Sequence, residues 1–183
     1  MEISVRMGEL AASADPGTVL MSIGLGSCIG VALIDPGARV AGLAHIMLPG
    51  PGDTASRPPG MFADSGVAAL LESVLELGAR RVRLTAVIVG GAQMFASTGK
   101  LQVGTRNDEA VRLALRAARL PIGGQDTGGN KGRTIRVYVD EARVTAREAG
   151  GSENVLLDGL TGLAPPRERS TVATMQPQGG SRR

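Results

Sequence analysis

The chain has 183 residues, of which 43% are hydrophobic and 2% aromatic, with one cysteine, one histidine and no tryptophan. That length accommodates one domain with a substantial core, the lone cysteine excludes an internal disulfide and points to a reducing, cytoplasmic setting, and base-stacking aromatic platforms are scarce. The formal net charge of +3 resides in residues 164–183, where Arg167, Arg169, Arg182 and Arg183 oppose Glu168; the neutral remainder lacks the clustered positive charge that nucleic acid requires.

Glu2 and Glu9 stand where a secretory signal would carry basic residues, so no such signal is expected. Residues 16–34 carry no charge, a run close to the roughly 20 residues of a membrane span. It begins at Pro16 and holds Gly17, Gly24, Gly26, Gly30 and two serines, so two buried strands joined by a turn are expected rather than membrane insertion. Those strands are 18–23 (TVLMSI) and 29–34 (IGVALI), with Cys28 at the exit of the turn between them. Asp35-Pro36-Gly37 signals a turn, and Val40 to Leu48 reads as a third strand stopped by Pro49. An antiparallel meander of the three would bring His45 beside Cys28 across neighbouring strands. Residues 49–60 (PGPGDTASRPPG) form a loop placed to wall a substrate cleft.

Asp64 or Ser65 caps a helix running to about Leu77; Val67, Leu70, Leu71, Val74 and Leu75 give its apolar stripe and Gly78 its stop. Arg81 to Val89 reads as a strand, followed by Gly90-Gly91. A second helix is expected from about Asn107, its cap, to Leu120, with Asp108 and Glu109 at the positive end of its dipole. Residues 121–132 read as a glycine-rich loop, and Thr134 to Val139 with Ala142 to Arg147 as a closing hairpin. Residues 1–163 thus form the domain. Residues 164–183, rich in Pro, Arg, Ser, Gln and Gly, form a tail expected to lack structure, for want of apolar surface to offset ordering entropy.

Cys28 and His45 offer the one complete reactive set. A thiolate attacks and an imidazole takes and returns protons, which suffices for nucleophilic acyl chemistry. Singly, each has a plainer reading: a buried small hydrophobe for the cysteine, and a core side chain satisfied by a carbonyl for the histidine. Their spacing and setting bring a catalytic pair level with those plainer readings, and both stay open on the residues alone. Glycines 24, 26 and 30 leave the thiol open and backbone N–H groups free to face an oxyanion. An unpartnered imidazole in an apolar strand is costly, and a neighbouring thiolate would offset that cost and raise the ionised fraction of Cys28. One Cys and one His make a poor zinc set, so no metal site is expected. Ser22 and Ser27 carry hydroxyls but no G-x-S-x-G elbow, and GGAQMF (90–95) lacks the spacing and Lys of a phosphate loop. Asp126-Thr127-Gly128-Gly129-Asn130 reads first as a plain loop; alternatively Thr127 and Asn130 bind a substrate backbone or brace the nucleophile loop. Arg106 and Asn107 either pair with a carboxylate or cap the second helix, capping being the simpler role for Asn107.

The stretches LGSCIGV (25–31), AHIMLP (44–49), FADSGV (62–67), GGAQMF (90–95), GTRN (104–107) and DTGGN (126–130), taken in this order, resemble the CheD family of chemoreceptor glutamine deamidases over about residues 3 to 150. The resemblance implies an α+β fold, a three-layer α-β-β sandwich of mostly antiparallel sheets with two main helices on one side. It implies hydrolysis of selected glutamine side chains in methyl-accepting chemotaxis receptors, with no cofactor, and a CheC-type phosphatase as a second partner. The family's cysteine and histidine fall on Cys28 and His45. Its third catalytic position, commonly threonine, falls on Ser22, which keeps the hydroxyl but loses the stiffening β-methyl. Backbone N–H groups near Gly26, Ser27 and Cys28 would hold the oxyanion. Two rivals stand beside this: an adaptor that binds receptor or phosphatase with its chemistry weak or lost, and another thiol acyl enzyme such as a cysteine peptidase or a transglutaminase-like transferase.

Overall fold

A computed structural model describes residues 1–50, 58–93, 102–159 and 172–175 of the chain. Its elements are β1 (Glu2–Ser4), β2 (Leu10–Ser13), β3 (Val19–Leu25), β4 (Ile29–Asp35), β5 (Val40–Ile46), α1 (Ala63–Glu76), β6 (Thr85–Gly90), α2 (Val103–Ala117), β7 (Ile122–Thr127), β8 (Arg133–Tyr138), β9 (Arg143–Glu148), β10 (Glu153–Asp158) and β11 (Val172–Met175), with two short 3-10 turns at Pro59–Met61 and Arg81–Arg83. The strands make a five-stranded sheet in the order β1-β3-β8-β9-β10 and a six-stranded sheet in the order β11-β2-β5-β4-β6-β7. Pairing is antiparallel except for β1 with β3 and β6 with β7.

The six-stranded sheet is the middle layer. One face packs Ile29, Val31, Leu33, Val40, Ala44 and Ile46 against Val67, Leu70 and Val74 of α1 and Val111 and Leu115 of α2. The other packs Ala32, Ile34, Ala41 and Leu43 against Leu20, Leu25, Ile135 and Val137 of the five-stranded sheet. Every residue of β4 and β5 is buried, which is why both read as continuous apolar runs rather than as alternating ones. The expected α-β-β sandwich with its helices on one side is the architecture found.

Several boundaries and pairings differ from expectation. One of the two pairings of the expected meander is found. β4 and β5 pair antiparallel with Gly30 opposite His45, but β3 leaves for the other sheet, where it pairs with β1 and β8. Apolar runs specify burial and not partners, so the sequence pattern cannot separate the two arrangements. α1 begins after Phe62 with no side-chain cap; Asp64 accepts the Ser65 N–H and Ser65 Oγ donates to the Pro59 carbonyl. The segment expected as a strand from Arg81 opens as a 3-10 turn, and β6 starts only at Thr85.

α2 starts at Val103, so Asn107 lies inside the helix and does not cap it. Gly104 hid that start: its place is tight against the Gly91 and Ala92 carbonyls, where an added Cβ would lie 2.7 Å from the Ala92 oxygen, so a residue that reads as a loop marker is here a packing requirement. Residues 122–127, expected as loop, form β7, drawn into the sheet by parallel pairing with β6. The hairpin β8-β9 is extended by β10. In the segment expected to lack structure, Val172–Met175 lies antiparallel along β2; the rest of 164–183 and residues 51–57 of the expected cleft loop lie outside the described residues.

The far end of β4 is fixed by a buried carboxylate. Asp35 accepts Nε and Nη2 of Arg83 at 2.8 and 2.7 Å and the amide N–H groups of Arg80 and Ala38 at 2.7 and 3.1 Å. Burial alone would raise its pKa; the Arg83 and backbone donors outweigh that and hold it below the ordinary 3.8. A depressed carboxyl stabilises the fold above its unfolded pKa and loses that contribution as pH falls through the folded value. Replacing Asp35 with Ala strands two amide donors and is expected to cost about 3 kcal/mol, read as a lower urea midpoint near neutral pH. Wild type and variant should converge as the pH is taken down through the acid range.

Candidate active site

The segment that carries Cys28 is the crossing between the two sheets. In β3 the pairing with β8 slips between Ser22 and Leu25, a bulge, of the kind that re-aims side chains beside functional sites. Leu25 drops into the layer between the sheets, and Gly26-Ser27-Cys28 then carries the chain across to β4. Cys28 is half-buried and packs against that same layer. His45 is 2% exposed and faces it from β5, since its neighbours at alternate positions, Ala41 and Leu43, do so. Gly30 stands directly opposite His45. A Cβ there would lie 2.8 Å from the Leu25 side chain, so glycine lets the crossing strand close over the site. Cys28 is one diagonal step from His45, a Cβ separation on the order of 7 Å in regular sheets.

Ser22 comes from the opposite sheet. Its Oγ lies 2.8 Å from Nδ1 of His45 and donates to the Val5 carbonyl at 2.9 Å. A hydroxyl has one proton to give. With that proton on Val5, the oxygen accepts from His45, which assigns the ring proton to Nδ1 and leaves a lone pair on Nε2. Nε2 is buried and has no hydrogen-bond partner among the described residues. Burial pushes the His45 pKa below 6.5, against smaller opposing effects of the Val5 carbonyl and the Glu9 charge. Burial likewise pushes the Cys28 thiol above 9.0. Burial thus favours the neutral form of each group, no hydrogen bond joins them among the described residues, and burial opposes the ionised fraction of Cys28 that its neighbour was expected to raise.

The sequence comparisons agree with one another. A family model described as CheD chemotactic sensory transduction matches residues 47–148. A protein of Methanococcus vannielii named probable chemoreceptor glutamine deamidase CheD is 39% identical over 156 residues, 85% of this chain and 100% of its own length. The chain belongs to the CheD family. The chemoreceptor glutamine deamidase CheD of Thermotoga maritima is 39% identical over 85% of this chain and 97% of its own length. A probable chemoreceptor glutamine deamidase CheD of Desulfitobacterium hafniense is 41% identical over 84% and 98%.

The remaining expected residues fall into two groups. Gly26 and Ser27 adjoin Cys28, and their carbonyls are held, Gly26 O by the Ala92 N–H at 2.7 Å and Ser27 O by Asn107 Nδ2 at 2.8 Å. The amide N–H groups of Ser27 and Cys28 donate to nothing among the described residues. Arg106 is exposed on α2, away from any ion pair among those residues, and Asn130 is exposed with no side-chain bond among them. Thr127 Oγ1 accepts from Arg112 at 3.3 Å. The DTGGN loop does meet the nucleophile segment's support, but through backbone. Gly128 N–H donates to Gly90 O and Gln93 N–H to Gly129 O, while Gly91 N–H donates to Cys28 O.

Two contributors escaped the sequence reading. Arg133, 5% exposed, holds that loop from below: Nη1 donates to Gly128 O at 2.6 Å, and Nε makes a charge contact with Asp126 at 2.9 Å. Asn107 bridges Ser27 and Met47. A buried arginine amid strand residues gives no periodic signal, and the asparagine was masked by its resemblance to a cap.

Alkylation by iodoacetamide reports the thiol directly. The rate at Cys28 in the folded protein is expected to rise with pH only above the range of an unperturbed cysteine, about 8.5. A midpoint at or below 8.5 would show that burial does not govern this thiol.

Proposed function

We propose that this chain is a chemoreceptor glutamine deamidase, hydrolysing glutamine side chains of methyl-accepting chemotaxis receptors to glutamate through a Cys28 thioester. Membership of CheD and relatives of that name support the activity. The observation that carries the mechanism is His45, with Nδ1 fixed by Ser22 and the Nε2 lone pair free on the face where Cys28 lies.

The neutral pair suits a reaction that ionises only when substrate arrives. As a glutamine carboxamide displaces water, His45 Nε2 takes the thiol proton and Sγ bonds to the amide carbon. The carbonyl oxygen becomes an oxyanion received by the N–H groups of Ser27 and Cys28. Collapse breaks the carbon–nitrogen bond, with the Nε2 proton passing to departing ammonia. Water then enters and gives a proton to Nε2 as its oxygen bonds to the thioester carbon. The carbon–sulfur bond breaks, the proton returns to sulfur, and the glutamate side chain is released. Ser22 keeps the ring oriented through both halves. A methyl ester would pass through the same acyl intermediate, so methylesterase activity is a side reaction of this site.

The substrate is a helical segment of the receptor's cytoplasmic region, which places the enzyme in the cytoplasm, and a carboxylate in place of a neutral amide shifts the balance of receptor signalling states. A CheC-type phosphatase is a second partner, competing for the same face. Burial of Cys28, which disfavours its ionised form, is the one observation favouring the adaptor reading, in which receptor is bound without chemical change.

Mass spectrometry of a receptor cytoplasmic fragment separates these. Cys28→Ala is expected to abolish the amide-to-acid mass gain while binding persists; His45→Ala should lower kcat/KM by on the order of 100-fold or more, and Ser22→Ala by about 10-fold. Wild-type protein that binds the fragment without a mass gain is an adaptor. Backbone cleavage marks a peptidase, and product only with an added amine marks a transferase. Because His45 works as the neutral base and burial lowers its pKa, the acid limb of kcat/KM should have its midpoint below 6.5. A midpoint above that value would overturn His45 as the base.

A further inference from the structure

Two peptide units supply the free amides beside Cys28. A trans peptide is planar and its C=O and N–H point in opposite directions, so whatever grips the carbonyl aims the amide. The Gly26 carbonyl shares a plane with the Ser27 N–H and is gripped by a backbone donor, Ala92 N–H, at 2.7 Å. The Ser27 carbonyl shares a plane with the Cys28 N–H and is gripped by a side chain, Nδ2 of Asn107, at 2.8 Å. The second Nδ2 proton goes to the Met47 carbonyl at 2.9 Å, one residue beyond the end of β5. Asn107 is fully buried. One nitrogen with both protons committed therefore fixes the nucleophile segment against the end of the histidine strand.

We propose that Asn107 is a positioning residue for the oxyanion site: by holding the Ser27 and Met47 carbonyls together it aims the Cys28 N–H and sets the spacing of Cys28 from His45. The proposal rests on the deamidase reading. It explains why a polar side chain is buried inside α2, where it caps nothing, and why a carboxamide is used. Both contacts need a donor, which a carboxylate of the same shape lacks, and one atom must serve two carbonyls, which a hydroxyl with its single proton does not. Removing the side chain leaves Gly26 O and Cys28 O still bound by Ala92 and Gly91, so the segment stays in place while one amide loses its aim.

The test uses the full chain, with ammonia release from a receptor cytoplasmic fragment as the assay. Asn107→Ala should lower kcat about 10- to 100-fold with KM within about twofold, less than outright removal of an oxyanion donor. Alkylation of Cys28 by iodoacetamide, which builds no oxyanion, should stay within about twofold of wild type. Asn107→Ser, which retains one donor, should lie between the two and covers the case in which the alanine variant does not fold. Wild-type kcat in a folded variant overturns the proposal. So does a loss of activity accompanied by Cys28 alkylation accelerating to the rate of a free thiol, which marks a merely structural role. A wild-type chain that releases no ammonia overturns the deamidase reading itself, whereas an active wild type with an unaffected alanine variant overturns only the role of Asn107.

Discussion

The hydrogen bond between Ser22 and His45 joins the two sheets inside a layer otherwise lined by Leu20, Leu25, Leu43 and Ile135. Burying an imidazole in hydrocarbon is costly unless its nitrogens are satisfied. Here one nitrogen is satisfied and the other has no partner among the described residues: the bonded nitrogen fixes ring and tautomer, and the bare one is the base of the proposed mechanism. The Val5 carbonyl belongs to the same device, since it takes the hydroxyl proton and so makes Ser22 an acceptor. The buried Asn107 Oδ1 is likewise unpartnered among the described residues, and unsatisfied buried polar atoms are the kind of defect that folds retain at working sites.

Around that bond the remaining support is largely main chain. The crossing at Gly26-Ser27-Cys28 is held by the Gly91 and Ala92 N–H groups, the flanking Gly90 and Gln93 bond Gly128 and Gly129, and Arg133 holds that last loop. Loops stacked through backbone bonds need glycine for close approach more than any particular side chain, so glycine-rich stretches that carry no catalytic group still shape the site. Asn107 and Arg133 are among the points where a side chain enters this stack.

Much of the architecture was legible because burial dominates it. β4, β5, α1 and the β8-β9 hairpin follow from apolar runs and helical stripes. The partner of β3 was not legible, since a strand buried on one face in one sheet and a strand buried on both in the next have similar composition. That error had a limited effect: β4, which follows Cys28, pairs with β5, which carries His45 opposite Gly30, while Ser22 reaches the histidine from the facing sheet and not along a meander. Residue spacing alone gave no reason to prefer Ser22 over Ser27; the family resemblance did. α2 was misplaced because Gly104 and Asn107 look like a loop and a cap, whereas each is fixed by contacts with segments distant in sequence.

The burial of the sulfur has a further consequence, in redox terms. Peroxides attack thiolates, and a thiol held protonated is a slow target. On the proposed mechanism the sole cysteine ionises only under a bound carboxamide, so the idle protein would be spared sulfenic acid formation, and its capacity to modify receptors would persist through oxidative episodes that silence enzymes with permanently ionised nucleophiles.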